Sequence, residues 1–289
     1  MHTDNRVELE LEQFDKNDIL GLRDLSASVG WDYDEQEINT VITSGKIYGH
    51  KNAEGKIVSS AAIIPYDTDL ASIGMVIVNK DYRGLGLGKK VTQKCIDSVS
   101  KETSIMLIST EEGKTLYENL GFKTVDYVHK LLCESYIPNK LIVNKEVTIE
   151  RYNSNDFNKI IELDSAAFGD KRSKFLLNRI NQSKQCLVVR DKTGKIIGFG
   201  LSILGPLNLI LGPIVAPNFE TAALLIKELA SKHPGNLRID MPSGNNELMS
   251  FLEKCGFAKT SEPPIMIKNS MNMPFRNHEL FAIAAQVFG

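Results

Sequence analysis

The stretch DYRGLGLGKK, residues 81–90, sets Gly84, Gly86 and Gly88 in alternation, with Arg83 ahead of them and Lys89 and Lys90 behind. An apolar run that reads as a strand precedes it, and apolar residues at helical spacing follow. Glycine reaches positive φ without penalty and lets a ligand approach the main chain. Successive N–H groups in such a turn form a concave anion site, to which the next helix adds free donors and its positive dipole end. With Arg83, Lys89 and Lys90 close by, the pattern predicts a pyrophosphate cradle with Leu85 and Leu87 packed behind the turn. Two common phosphate loops are excluded. A dinucleotide fingerprint needs glycine at its sixth position, which counted from Gly84 is Lys89. A P-loop needs four residues between its glycines and Ser or Thr at residue 90, which is Lys90.

The elements that must hold this loop follow from periodicity and turn residues. Residues 6–14 read as a strand, 16–30 and 34–45 as helices, with Asp34 capping the second. Strands are predicted over 46–52, 55–67 and 71–79, then a helix from 86, a short strand over 104–110 and a helix ending at Gly121. The order then recurs. GKIVSSAAIIP at 55–65 matches GKIIGFGLSILGP at 194–206, VIVNKDY at 76–82 matches PIVAPNF at 213–219, and YENLGF at 117–122 matches LEKCGF at 252–257. Two similar domains, 1–136 and 145–289, are expected, joined by hydrophilic residues 135–146. The apolar tail MPFRNHELFAIAAQVFG is read as a helical stripe docked on the second domain.

Aligned through that anchor, Arg83–Gly88 lies over Glu220–Leu225, so the second copy lacks the glycines and the arginine. The remaining pattern of the first copy is Arg-x-x-Gly-x-Gly, here Arg83, Gly86 and Gly88. Residues 75–91, MVIVNKDYRGLGLGKKV, resemble the coenzyme A segment of the GCN5-related N-acetyltransferases (GNAT). GKTLYENLGF at 113–122 resembles the helix after that family's fifth strand. The resemblance implies an α+β, layered fold: two tandem GNAT-like domains of the bacterial tandem group, each a mixed, mostly antiparallel sheet flanked by helices and splayed between strands 4 and 5. It implies acetyl-CoA as co-substrate and no metal, with the phosphates on Arg83, Gly84, Leu85, Gly86, Leu87, Gly88 and Lys89. The pantetheine arm would pair with the edge of strand 4 at Met75–Val78, and a backbone N–H near Val76 or Ile77 would polarise the thioester oxygen.

Tyr117 occupies the family's Tyr-x-x-x-Gly-Phe position, facing the thioester sulfur. A phenol titrates near 10 and a thiol near 8.5, so hydrogen bonding to the departing thiolate competes with full proton transfer. The second copy has Leu252 there. Strand 4 carries no acid or histidine; a water chain, Asp32 or Asp34 remains for the base, with His50 and His129 as weaker candidates. Trp31, the only tryptophan, lies beside Asp32 and Asp34 where the family builds its acceptor pocket, a pairing that suits a cationic amine.

The chain is thus expected to be an acetyl-CoA-dependent N-acyltransferase that acetylates a primary amine of a small molecule by direct attack. The alternatives are a non-catalytic acyl-CoA or amine sensor, or a transferase acting on a protein or peptide amine. A degenerate second domain that binds no coenzyme is expected, in a monomer or homodimer. A net charge of −2 over 289 residues gives no sign of nucleic acid as partner. Residues 1–50 concentrate eleven acidic against four basic residues, either a solvated face or a surface that attracts a cation. No apolar run approaches the ~18 residues of a membrane span. Cys95, Cys133, Cys186 and Cys255 show no metal-ligand spacing and are expected to be reduced and buried, in a cytoplasmic protein.

Overall fold

The computed structural model describes residues 9–138 and 146–289. Residues 6–8 of the expected first strand and 139–145 of the expected linker lie outside them. The first half runs β1 (Leu11–Phe14), α1 (Ile19–Ser28), α2 (Glu35–Ser44), β2 (Lys46–Lys51), β3 (Ile57–Pro65), β4 (Leu70–Val78), α3 (Leu87–Asp97), β5 (Ser104–Ile108), α4 (Glu111–Asn119) and β6 (Lys123–Cys133). The second runs β7 (Val147–Arg151), α5 (Phe157–Phe168), α6 (Ser173–Gln182), β8 (Gln185–Asp191), β9 (Ile196–Leu204), β10 (Leu209–Val215), α7 (Phe219–Ala230), β11 (Leu237–Pro242), α8 (Asn246–Lys254), β12 (Ala258–Ser261), β13 (Pro264–Lys268) and β14 (Leu280–Ala282). In each half two helices separate the first two strands, three antiparallel strands follow, and a helix crosses to a parallel strand.

Local chemistry accounts for these elements. Asp34 caps α2, its carboxylate accepting from the Glu37 N–H at 2.7 Å. β3 is buried at every residue except its last. Ala62 and Ile64 face the cluster that holds Leu22 and Leu25 of α1, while Ala61 and Ile63 face Val91 and Cys95 of α3. A strand covered on both faces reads as a continuous apolar run, as this one does.

The halves share one sheet. β13, late in the chain, lies between β5 and β6 of the first half. β6 is long enough to serve both: Lys123–Tyr127 pair with β13, and Val128–Cys133 pair with β11. The division expected at 135–146 separates the two repeats but not the sheet. The largest apolar cluster also crosses over, joining Ile38 and Val41 of α2 to Phe175, Leu176 and Ile180 of α6.

The tail departs from its expected form. Its apolar residues from Leu280 onward are buried, but as the short strand β14 on β10 and then as irregular and turn backbone, not as a helix, while Phe275 is exposed. It docks on both halves. Ser72 of β4 donates to the Val287 carbonyl at 3.0 Å, and the Tyr66 hydroxyl donates to the Phe288 carbonyl. Main-chain carbonyls of a non-helical tail can take hydrogen bonds from two domains at once, whereas a helix would keep them to itself.

Candidate active site at the splayed strands

β4 and β5 are parallel partners only from Leu70 to Ile73. Beyond Ile73 the edge of β4 that faced β5 is open. On the other side, the β3–β4 register slips between Ser60 and Ala62, and Met75 takes φ 50°. A left-handed angle in a side-chain-bearing residue costs about 1–2 kcal/mol, so neighbours must hold it. Ser60 does so, its hydroxyl donating to the Met75 carbonyl at 2.8 Å. Gly74, just before the bulge, lies under the tail; a Cβ there would sit 2.4 Å from Val287 Cγ2.

A cleft of about 1230 Å³ opens along this edge. At one end lies the glycine loop, of which Lys80, Arg83, Gly84 and Gly88 form wall. Gly84 and Gly86 have φ 79° and 73°, and a Cβ on either would meet nothing within 4 Å. The backbone angle therefore requires glycine there, and the space above stays open. Gly86 stands at the N-cap of α3 and offers no side chain, so the first N–H groups of α3 are left free for a ligand. Arg83, Lys89 and Lys90 make no ion pair among the described residues. Leu85, Gly86, Leu87 and Lys89 lie outside the cleft wall. Leu87 packs behind the turn as expected, but Leu85 is 50 % exposed: it projects from the tip, away from the core that Leu87 joins.

Val76, Ile77 and Val78 line the cleft together with Tyr117 of α4. The Tyr117 ring is fixed edge-on to Phe122, with centroids 6.0 Å apart, and passes over Gly113, where a Cβ would lie 3.0 Å from it. Its hydroxyl makes no hydrogen bond among the described residues. Burial pushes the phenol's pKa up, which keeps it a donor at neutral pH.

At the far end Trp31, Asp32 and Asp34 come together in the turn between α1 and α2, and all three reach the cleft. Asp34 is committed as the α2 cap, and burial raises its pKa. Asp32 makes no hydrogen bond among the described residues. Glu37, also on this wall, is neutralised by the buried Arg179 of α6, and Gln182 donates to the same carboxylate at 2.7 Å. His50 is buried against Ser59 and does not reach the cleft. His129 sits 3.7 Å from Glu262 and is likewise outside the wall.

Sequence reasoning missed the opposite wall of this end, which comes from beyond the first domain's motifs. Lys130 of β6, Arg238 of β11 and Gln286 of the tail all face the cleft. Charges set among apolar strand residues, as in KLLC or LRID, were the available signal; the strand pairing that brings the two together was not.

In the second half the corresponding splay is filled. β10 and β11 pair only from Leu209 to Leu211, but β14 takes the vacated edge of β10 at Ile214 and Val215. The Ile283 N–H then bonds to the Asp240 carbonyl of β11. The glycine loop is deleted rather than substituted. Residues 79–86 join β4 to α3, whereas only 216–218 join β10 to α7. The alignment of Glu220–Leu225 with Arg83–Gly88 thus sets helix against loop. Asn218 caps α7, its side chain accepting from the Thr221 N–H at 3.0 Å, and Glu220 adds negative charge to the first turn.

Comparison with known proteins agrees with this architecture. Two family models described as acetyltransferase (GNAT) domains match, at residues 30–130 and 160–282. An N-acetyltransferase of Bacillus subtilis strain 168, YitH, itself uncharacterized, is 38 % identical over 281 residues, covering 97 % of this chain and 98 % of its own. Among solved structures, one from Pyrococcus horikoshii assigned to the acetyltransferases covers 100 % of this chain and 99 % of that chain, at TM-score 0.80 and 18 % identity. A tandem GNAT protein from the clavulanic acid biosynthesis pathway covers 92 % of this chain and 100 % of its own, at TM-score 0.65 and 11 % identity. Among the described residues no helix is long and apolar enough to cross a membrane.

Proposed function

The chain belongs to the GNAT acetyltransferases, in their tandem form, and from that premise we propose that it moves an acetyl group from acetyl-CoA to the primary amine of a small molecule, at a single site in its first half. The observation that carries this reading is the continuity of one cleft. Residues of the glycine loop, the open edge of β4, Tyr117 and the Trp31–Asp34 turn all line it.

The residues fit the coenzyme. Free α3 N–H groups and the unpaired Arg83, Lys89 and Lys90 suit a pyrophosphate, and the open edge of β4 suits an amide-bearing arm. Bound acetyl-CoA supplies an activated thioester carbonyl. A main-chain N–H at Val76 or Ile77, turned by the Met75 bulge, polarises that oxygen. Asp32 draws the amine to the carbonyl and orients it. The ammonium gives one proton to solvent and, as the free amine, forms the new C–N bond while the C–S bond breaks. Tyr117 hydrogen-bonds the departing thiolate, which takes up the second proton that the nitrogen loses. The raised pKa of Tyr117 favours donating a hydrogen bond over giving up the proton.

Free-thiol release from acetyl-CoA, followed across a panel of amines, tests the proposal. Release that depends on an added amine supports it. Coenzyme that binds and is released by no amine, polyamine, amino acid or peptide would make the chain a sensor instead.

A further inference from the structure

Resting on that reading, we infer that the acceptor is an amino acid: its carboxylate is held by Arg238 and Lys130, across the cleft from the Asp32 that holds its amine. The two cations share one face of the sheet, because Asp240, two residues beyond Arg238 on β11, lies directly opposite Lys130 of β6. Asp240 is buried and fixes the guanidinium, accepting from Arg238 Nε at 2.9 Å and Nη2 at 2.7 Å. Gln286 of the tail donates to the second oxygen of Asp240 at 3.3 Å. Arg238 Nη1 is left without a hydrogen bond among the described residues, and so is the Lys130 ammonium.

Two cations thus face the cleft, and Asp240 is the one carboxylate hydrogen-bonded to either of them among the described residues. Burial, and then the Arg238 charge, lower the Lys130 pKa, as expected where like charges crowd with too little compensation. Asp32 is near enough for its charge to act on both, yet it forms no ion pair with either. The arrangement leaves one cleft with an unpaired carboxylate, Asp32, near two cations that have unused donors. A polyamine would meet repulsion from Lys130 and Arg238. A molecule with both an amine and a carboxylate satisfies Asp32 and the two cations together, and a planar carboxylate suits a guanidinium held in one orientation. It also gives the second half a role: β11 and the tail build a specificity wall for a reaction performed in the first half.

The test compares matched acceptors on the wild-type full chain, each amino acid beside its decarboxylated amine: lysine with cadaverine, ornithine with putrescine, tyrosine with tyramine. The inference expects kcat/KM to favour at least one amino acid over its partner amine by about tenfold or more, the usual worth of a charge-assisted contact. Lys130→Gln and Arg238→Gln should each erode that ratio through KM, with kcat for the saturated acceptor changed little, and Arg238→Lys should restore part of it. The wild-type comparison stands even if Arg238→Gln, which strands Asp240, fails to fold. Amines preferred over every amino acid would overturn the inference and leave the acetyltransferase reading standing. Transfer to no amine of either kind would overturn both.

Discussion

The guanidinium of Arg179, fully buried in α6, donates to the carboxylate of Glu37 in α2, joining the second half of the chain to the first beside the acceptor end of the cleft. Arg179 also donates to the Ala284 carbonyl at 2.8 Å, so the tail is tied into the same junction. Breaking one member of a buried pair leaves the other uncompensated. Arg179→Met should therefore cost about 3–5 kcal/mol of stability. The double variant Glu37→Gln/Arg179→Met should recover part of that loss. Denaturant midpoints of the three proteins check this, and additive losses would contradict the coupling.

On the proposed mechanism Ser60 is a positioning residue that acts through Met75. Ser60→Ala removes the donor that pins the bulge, at a cost of about 1 kcal/mol in stability. The expected kinetic mark is a drop in kcat of about tenfold with coenzyme affinity little changed, because a misaimed oxyanion donor weakens the transition state more than the ground state. Equal losses in both would mean that Ser60 only supports the strand.

The glycine loop is open to a sharper test. Gly86 is at φ 73° with empty space around its Cβ position, so Gly86→Ala strains only the backbone, by about 1 kcal/mol. Calorimetry should show coenzyme affinity falling several-fold, and Arg83→Gln should reduce its salt dependence. The stoichiometry in the wild-type protein should be one coenzyme per chain, since β14 fills the second splay and Asn218 caps α7. Two bound per chain would refute that assignment.

Tyr66 provides a pH signature of the joined halves. Its ring meets Phe168 edge-on at 5.2 Å and its hydroxyl donates to Phe288, while burial pushes its pKa up to about 12. An unfolded tyrosine titrates near 10, so above that pH the folded state binds the proton that the unfolded state has lost. The contribution of Tyr66 is full below pH ~10 and drains away as pH rises toward ~12. Tyr66→Phe should be less stable near neutrality and should lose less stability across that alkaline range. Parallel curves for the two proteins would contradict it.

Much of the first half was legible because its signals are local. The Asp34 cap, the doubly covered β3, and the loop of Gly84 and Gly86 each follow from a few neighbouring residues. The splay of β4 from β5 came with the family resemblance. What the sequence hid depends on pairing between distant segments. Nothing near Pro264–Lys268 signals that this strand belongs in the first half's sheet, between β5 and β6. Little in AIAAQVF distinguishes a buried helix from irregular backbone, since a short run with one polar residue has no period to read. Arg238 and Lys130 were passed over for the same reason: each looks like an isolated charge until the β6–β11 register sets Lys130 against Asp240.

The central claim is that acetyl transfer takes place in the first half, with Tyr117 at the departing sulfur. Steady-state thiol release by Tyr117→Phe, measured beside coenzyme affinity, tests it most directly. The account predicts a kcat at least about a hundredfold below wild type, in the range of a lost hydrogen-bond donor to developing negative charge, with coenzyme affinity within about twofold. A Tyr117→Phe protein that turns over at the wild-type rate would contradict it.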